Sequence, residues 1–396
     1  MKILHLPKWY PHRYDDQDGD FVARHVAAIA AHGGAEVAVL FATVARGPLP
    51  GLIDAAEDLA GPVPTLRYYY RAAPTGLAPL DKFLKLLLYY ACLLRGYRRL
   101  RRHWGGRHPD LVHVHILLRT GLAAWALQAL RGIPYIVTEQ WTLYLPLRAG
   151  GVSALRRALS GAVVRRAATL HTVSAHLREA MAALGIANSR AVVIANVIDE
   201  QLFRPQPGLA AGPGPVLLHV AAFHDDVKNV SGVLRVVARL RGRWPGLQLR
   251  LVGYGPDEAA LRATAAGLGL LADGTAVFRG KQPHAVVATE MAGATALVLF
   301  SRAETFSCVL LEARACGTPV VTTYAAGLPE LFQPPGAFGL QVPSDDEAAL
   351  EAAIEAVLAG NVCFDSARLR ADVLQRCTPA AVGQAFGALY RQVLGR

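Results

Sequence analysis

Residues 301–330 read SRAETFSCVLLEARACGTPVVTTYAAGLPE, and this stretch decides the fold. An apolar run of strand length, Ala296–Phe300, ends at Ser301, and a loop carrying Glu304 follows it. A helix opens near Ser307, carries Glu312 and stops at Gly317, ahead of a second apolar run, Pro319–Thr322. Strand, loop, helix, strand is the repeating unit of a parallel α/β sheet. The first turn of such a helix has N–H groups without intrahelical acceptors and the positive end of the helix dipole. The surroundings of Phe306, Ser307 and Cys308 therefore form an anion site suited to a diphosphate. Glu304 precedes the helix and Glu312 lies about a turn and a half into it, which predicts a separation of roughly 7–10 Å, the reach of a diphosphate bridge. One carboxylate can then accept hydrogen bonds from ribose hydroxyls and the other from a sugar beyond the diphosphate.

The same alternation extends in both directions. Upstream in the C-terminal half, strands are predicted at Val216–Val220, Leu247–Val252 and Ala276–Arg279, with helical segments between them. In the N-terminal half, Lys2–Leu6, Val37–Phe41, Leu111–His115, Tyr135–Thr138 and Ala191–Ile194 read as strands, and a helix is expected from about Asp20 to His32. Residues 205–215, PQPGLAAGPGP, suit neither a helix nor a central strand and read as a linker. The predicted division is an N-terminal domain over 1–204, the linker, a second domain over 216–376, and a helical tail over 377–396 that packs back on the first domain. The fold class is α/β, with two doubly wound, Rossmann-like domains facing across a cleft. Ligands in such sheets bind at the carboxyl ends of the strands. The alternation would equally suit a dehydrogenase or a periplasmic-type binding protein, so the architecture leaves function open.

With these residues in place, the chain resembles family 4 of the retaining glycosyltransferases, of the GT-B fold, over nearly its whole length. Glu304 and Glu312 match that family's pair of glutamates separated by seven residues, followed by its Gly-x-Pro-Val-Val strand and its Gly-x-Pro-Glu loop at Gly327–Glu330. Lys228, after the run Leu218–Phe223, stands where the family places a diphosphate-binding lysine; the usual arginine a few residues earlier is replaced by Ala221-Ala222-Phe223. Gly253 matches the glycine turn that approaches the nucleotide, and Lys281 follows the segment that faces the base. Gly19 matches a glycine hinge at a helix N-terminus, single here where many relatives carry two. In DLVHVH, residues 110–115, strand alternation puts His113 and His115 on one face, and the family register favours His115 as the histidine beside the transferred sugar. Gln140 stands where relatives often place histidine after Glu139.

The resemblance implies metal-independent transfer, with retention, from a nucleoside-diphosphate sugar to a hydroxyl of a glycan or lipid-linked acceptor. Glu304 and His115 would be catalytic, and Gly19, Lys228, Gly253, Lys281, Glu304, Phe306, Ser307, Cys308 and Glu312 would bind the donor. No metal site and no cofactor are expected. A nucleotide-sugar epimerase of the same fold and a non-catalytic sugar-nucleotide-binding protein are the alternatives.

Composition bounds the rest. The 396 residues carry 41 Lys and Arg against 30 Asp and Glu, a net charge of +11. No recognition motif or aromatic platform supports nucleic acid as a partner. The five cysteines show no paired spacing, which predicts reduced thiols. No apolar run approaches the ~18–20 residues of a bilayer span, and the N-terminus lacks the features of a signal peptide, so a cytoplasmic location is expected. Residues 82–107 contain eight Lys or Arg and no Asp or Glu, and helical spacing puts Arg95, Arg98, Arg99 and Arg102 on one face. Two readings of this segment stay open: a solvated basic face, or a peripheral contact with the anionic inner surface of the membrane.

Overall fold

The computed structural model describes residues 1–207, 214–325 and 329–396. The chain divides into two compact units, one of Met1–Val197 with Pro379–Arg396, the other of Ile198–Thr378. Residues 208–213 of the expected linker, and Gly327 and Leu328 of the Gly-x-Pro-Glu loop, lie outside the described residues.

Unit 1 runs β1 (Lys2–Pro7), α1 (Asp20–His32), β2 (Glu36–Val44), β3 (Ile53–Asp58), β4 (Thr65–Tyr70), α2 (Ala78–His103), β5 (Leu111–His115), α3 (Arg119–Arg131), β6 (Tyr135–Glu139), α4 (Pro146–Ala149), α5 (Ala154–Arg166), β7 (Thr169–Thr172), α6 (Ala175–Ala183) and β8 (Val192–Val193). Its eight-stranded sheet has the order β3-β4-β2-β1-β5-β6-β7-β8. Every pairing is parallel except β3 with β4. The strand order reverses between β1 and β5, which makes their carboxyl ends the binding crevice of the sheet. β3 and β4 were not predicted. β3, IDAAED, is an edge strand without an apolar face, so it lacks the alternation by which strands are read. The C-terminal helix, Pro379–Leu394, completes unit 1 by packing against α1. Glycines make that approach possible: a Cβ on Gly383 would meet the Ala28 carbonyl oxygen at 2.2 Å, and one on Gly387 the Gly33 oxygen at 2.4 Å.

Unit 2 runs β9 (Val216–Val220), α7 (Asp225–Lys228), α8 (Val230–Leu240), β10 (Gln248–Val252), α9 (Glu258–Gly267), β11 (Ala276–Gly280), α10 (His284–Ala292), β12 (Ala296–Leu299), α11 (Cys308–Ala315), β13 (Val320–Thr323), β14 (Leu340–Val342), α12 (Glu347–Leu358) and α13 (Ser366–Arg376). The sheet order is β11-β10-β9-β12-β13-β14, wholly parallel. Its central strands, VLLHV, ALVL and VVTT, are buried on both faces because helices cover both. The order reverses between β9 and β12, and the loops leaving those two strands carry Lys228 and Glu304.

Candidate functional site

In unit 2 the reversal point assembles the predicted donor residues. The chain leaves β12 through Ser301 and reaches α11 through Ser307, which is left-handed at φ 58°. A non-glycine residue there stores strain that the surroundings must hold. The Ser307 Oγ is buried and has no hydrogen-bond partner, although it sits at the N-cap, where a serine usually accepts from the helix. Phe306 is buried beside it and Cys308 half-buried. Together these leave a polar hydroxyl without a partner at the positive end of the α11 dipole. Glu312, in the fifth position of α11, is 94% buried.

Lys228 and Glu304 meet directly. The Lys228 Nζ donates to Glu304 Oε1 at 2.5 Å, and the Ser301 hydroxyl donates to the same oxygen at 2.8 Å. The expectation gave these residues separate contacts to the donor; in this structure they form one partly buried ion pair. Arg302 fixes the loop that holds Lys228, donating from its guanidinium to the Asp225 carbonyl at 2.8 Å and to Asp345 at 2.7 Å, while its N–H donates to the Val227 carbonyl. Arg302 went unmarked in the sequence, since its role is to tie two loops distant along the chain.

Gly253 has a role beyond the one expected of it. At φ 141°, a Cβ there would lie 1.9 Å from the Ala221 carbonyl oxygen, so glycine is required by the packing of one strand-end loop on another. Lys281 is exposed, with its ammonium 5.4 Å from the centre of the Tyr254 ring.

In unit 1, Gly19 is left-handed at φ 64° and opens α1, and a Cβ there would strike the Trp9 backbone at 2.4 Å. His113 and His115 do share a face, their rings stacked 4.0 Å apart. Both are completely buried, and Phe386 and Tyr390 of the C-terminal helix pack against the His113 ring. Burial holds every histidine of this layer, His5, His25, His113, His115 and His171, below the usual range and therefore neutral at pH 7. Neutrality fixes the proton positions along one chain of contacts. The Ile194 carbonyl can only accept, so His171 donates to it from Nε2 at 2.9 Å and leaves Nδ1 to accept from the Thr138 hydroxyl. That hydroxyl accepts from His113 Nε2 at 2.6 Å, and His113 Nδ1 accepts from the Tyr390 hydroxyl at 2.7 Å. His115 Nε2 shares a proton with His5 Nδ1 at 2.9 Å, and His115 Nδ1 is buried without a partner. His5, His113 and His115 present ring nitrogens within 4.8 Å of one another. Both His113 nitrogens are already committed, however, so this set falls short of the three free ligands a metal needs.

What sequence reasoning missed is a cavity of about 570 Å³ at the carboxyl ends of β1, β2, β4 and β5, lined by Lys8, Arg46, Lys85, Arg119 and Arg156, among others. Lys8 follows β1, lying 3.5 Å over the Trp141 ring and 4.6 Å from the Trp9 ring. Burial pushes its ammonium down to about 8; Glu139 and Asp18 oppose that shift, and Arg156 and Arg119 add to it. Glu139 is wholly buried and accepts from the backbone N–H groups of Leu117, Gln140 and Trp141, each at 2.9 Å. It thereby holds the loop after β5, where Ile116 (φ 68°) and Leu118 (φ 83°) are both strained. His115 itself lies behind this loop and does not line the cavity. These cations come from five separate segments, and no local motif joins them.

The sequence profile of a family described as glycosyl transferases group 1 matches residues 214–360, and that of a glycosyl transferase 4-like domain matches residues 20–197. D-inositol 3-phosphate glycosyltransferase 1 of Catenulispora acidiphila is 30% identical over 313 residues, 72% of each chain. The chain belongs to the group 1 glycosyltransferases. Among other members of this family, 2-deoxystreptamine N-acetyl-D-glucosaminyltransferase of Streptomyces fradiae is 29% identical over 94% of this chain and 91% of its own. Glycogen synthase of Mycobacterium tuberculosis is 31% identical over 65% of this chain, which spans 61% of that relative's length. The fold is that of sucrose-phosphate synthase from Thermosynechococcus elongatus, with a TM-score of 0.75 at 22% identity over the full length of both chains. It is likewise that of Anabaena HepE in complex with UDP-glucose, with a TM-score of 0.74 at 18% identity over 99% of this chain and 100% of that one. Two Rossmann-like domains with parallel sheets, as expected, make up this GT-B architecture.

Proposed function

We propose that this glycosyltransferase moves a sugar from a nucleoside-diphosphate sugar to a hydroxyl acceptor, with retention and without a metal. The observation that carries the reading is the strained Ser307, whose buried Oγ lacks a partner at the head of α11 and beside the Lys228–Glu304 pair. A diphosphate there would accept from the hydroxyl and face the positive end of the helix, and Lys228 would turn from Glu304 toward it. As the bond from the sugar C1 to the diphosphate oxygen breaks, negative charge grows on the leaving group, where a cation and a helix dipole stabilise it. The acceptor oxygen bonds to C1 on the face the leaving group departs from, and the acceptor's proton passes to the departing phosphate. Glu304, released by Lys228, would orient the sugar hydroxyls, and Glu312 would accept from the ribose. Gly253 and Lys281 would line the nucleotide side, and Gly19 would let its loop approach the phosphate. His115, buried behind the loop after β5, would offer its unpartnered Nδ1 to a sugar hydroxyl only once that loop moves aside. The HepE crystals that hold UDP and UDP-glucose support this donor class by likeness of fold.

A thermal-shift screen of UDP-, GDP- and ADP-sugars tests the reading, because a ligand at 100 times its dissociation constant adds ~2.7 kcal/mol to stability. One base series should raise Tm, and product analysis should show the donor's anomeric configuration kept in the presence of EDTA. No shift with any nucleotide sugar, or an inverted product, overturns it.

A further inference from the structure

The cavity at the carboxyl ends of β1 and β5 carries an excess of positive charge that its one wall carboxylate offsets only in part. Lys8, Arg46, Lys85, Arg119 and Arg156 line it, and among the described residues none of the five forms an ion pair. The one carboxylate on its wall, Asp18, is already engaged by His12 at 3.4 Å. Glu139, the nearest buried carboxylate, spends its oxygens on three backbone N–H groups. The Arg156 Nε is buried without a partner, and its guanidinium lies 5.1 Å from the Trp141 ring centre, on which Lys8 also rests. Cations gathered in a walled, partly dry space repel one another at a cost that grows as the dielectric falls. They are held there by the fold, with Lys8 fixed between two indole rings.

We infer that this cavity binds the acceptor through a phosphate monoester seated against Lys8, Arg119 and Arg156. The inference rests on the transferase reading for the word acceptor, while the anion site stands on the cavity itself. A dianion matches several cations better than a single carboxylate does. The planar forks of Arg119 and Arg156 can each take two phosphate oxygens, and Lys8 supplies a point charge. The aromatic walls, Trp9, Tyr70 and Tyr89, exclude water from the bound group and so strengthen those contacts.

Calorimetry with inorganic phosphate, at constant ionic strength, tests the site in the full chain. The wild type should bind saturably. Arg156→Gln and Lys8→Met should each weaken binding roughly tenfold to a hundredfold. Arg156→Lys should fall between, keeping charge and losing the fork, and Lys228→Ala should leave the cavity's binding in place. Unfolding curves that match the wild type certify that each variant is folded. Glucose 6-phosphate binding in solution would identify a free phosphate source, and binding confined to phosphatidic-acid vesicles a lipid headgroup; either supports the site if Arg156→Gln abolishes it. Phosphate binding that survives both unit 1 variants and disappears in Lys228→Ala overturns the inference, as does no binding at all. Failure of every nucleotide sugar to bind would sink the transferase reading separately, because these titrations contain no donor.

Discussion

At the scale of single residues, the two glutamates have different neighbours and should fail differently. Glu312→Ala removes an acceptor of charged hydrogen bonds, each worth about 1.5–3 kcal/mol, so nucleotide-sugar affinity should drop roughly tenfold to a hundredfold by calorimetry. Unchanged affinity would dismiss the ribose assignment. Glu304→Gln keeps the shape that Ser301 and Lys228 pack against while removing the charge that holds Lys228, so turnover should fall more than donor binding does. A loss confined to KM would make Glu304 a plain binding residue. Gly253→Ala is a test of packing: with the Ala221 oxygen 1.9 Å from the added carbon, the loop must shift. A destabilisation of ~1–3 kcal/mol should appear as a lowered Tm, and a neutral result would mean the two loops are free to part.

Among the elements, helix α2 is where sequence and structure inform each other most. The predicted apolar run and the basic run are one continuous helix, Ala78–His103. Its inner face is Tyr89, Cys92, Leu93, Gly96 and Leu100, packed on the sheet, with Gly96 set against Leu40 and Tyr68. The apolar residues left over, Leu80, Phe83, Leu87 and Leu94, stand exposed and lead into the groove formed by Arg95, Arg98, Arg99 and Arg102. Among the described residues, only Arg99 of those four is tied down by an ion pair, to Glu57 at 2.8 Å. An outer face that is apolar then basic favours the peripheral-membrane reading over a merely solvated one. Sedimentation with phosphatidylglycerol vesicles should capture the wild type, and changing Arg98, Arg99, Arg101 and Arg102 together to Gln should release it. Equal sedimentation of the two, or capture insensitive to salt, would return the helix to a solvated surface role. The helical spacing of these arginines could be read directly; the antiparallel edge strand β3, whose Glu57 meets them, could not, because IDAAED has no buried face to betray it.

Over the whole molecule, legibility followed distance along the chain. Strand β12, helix α11 and strand β13 are local and strongly patterned, and they came out within a residue or two of their observed bounds. The cation-lined cavity and the histidine layer draw on segments far apart in sequence, so no window of the chain displays them. Periodicity put His113 and His115 on one face, but it could not show that the C-terminal helix, distant in sequence, covers His113 there. That layer has a measurable consequence in acid. His5 and His25 are lowered to about 3 and His171 to about 4, against about 6.5 when unfolded. The unfolded chain therefore takes up protons that the folded one refuses, and stability present above pH 6.5 is lost as the pH falls toward 4. Thermal unfolding followed from pH 7 to pH 4.5 should show Tm declining across that window, and a flat profile would mean the histidines are already charged in the fold.

The C-terminal helix closes over α1 only after the whole of unit 2 has been written into the chain. During synthesis, then, Met1–Val197 emerges before unit 2 and waits for a helix made after it. Its polar layer is still uncovered, and Tyr390 has not yet arrived to donate to His113. The second unit, contiguous in sequence, needs no segment made after Thr378. A stop codon within the helix Pro379–Leu394 would spare the donor-side unit and orphan the other, so damage there would be felt in the sheet written before unit 2.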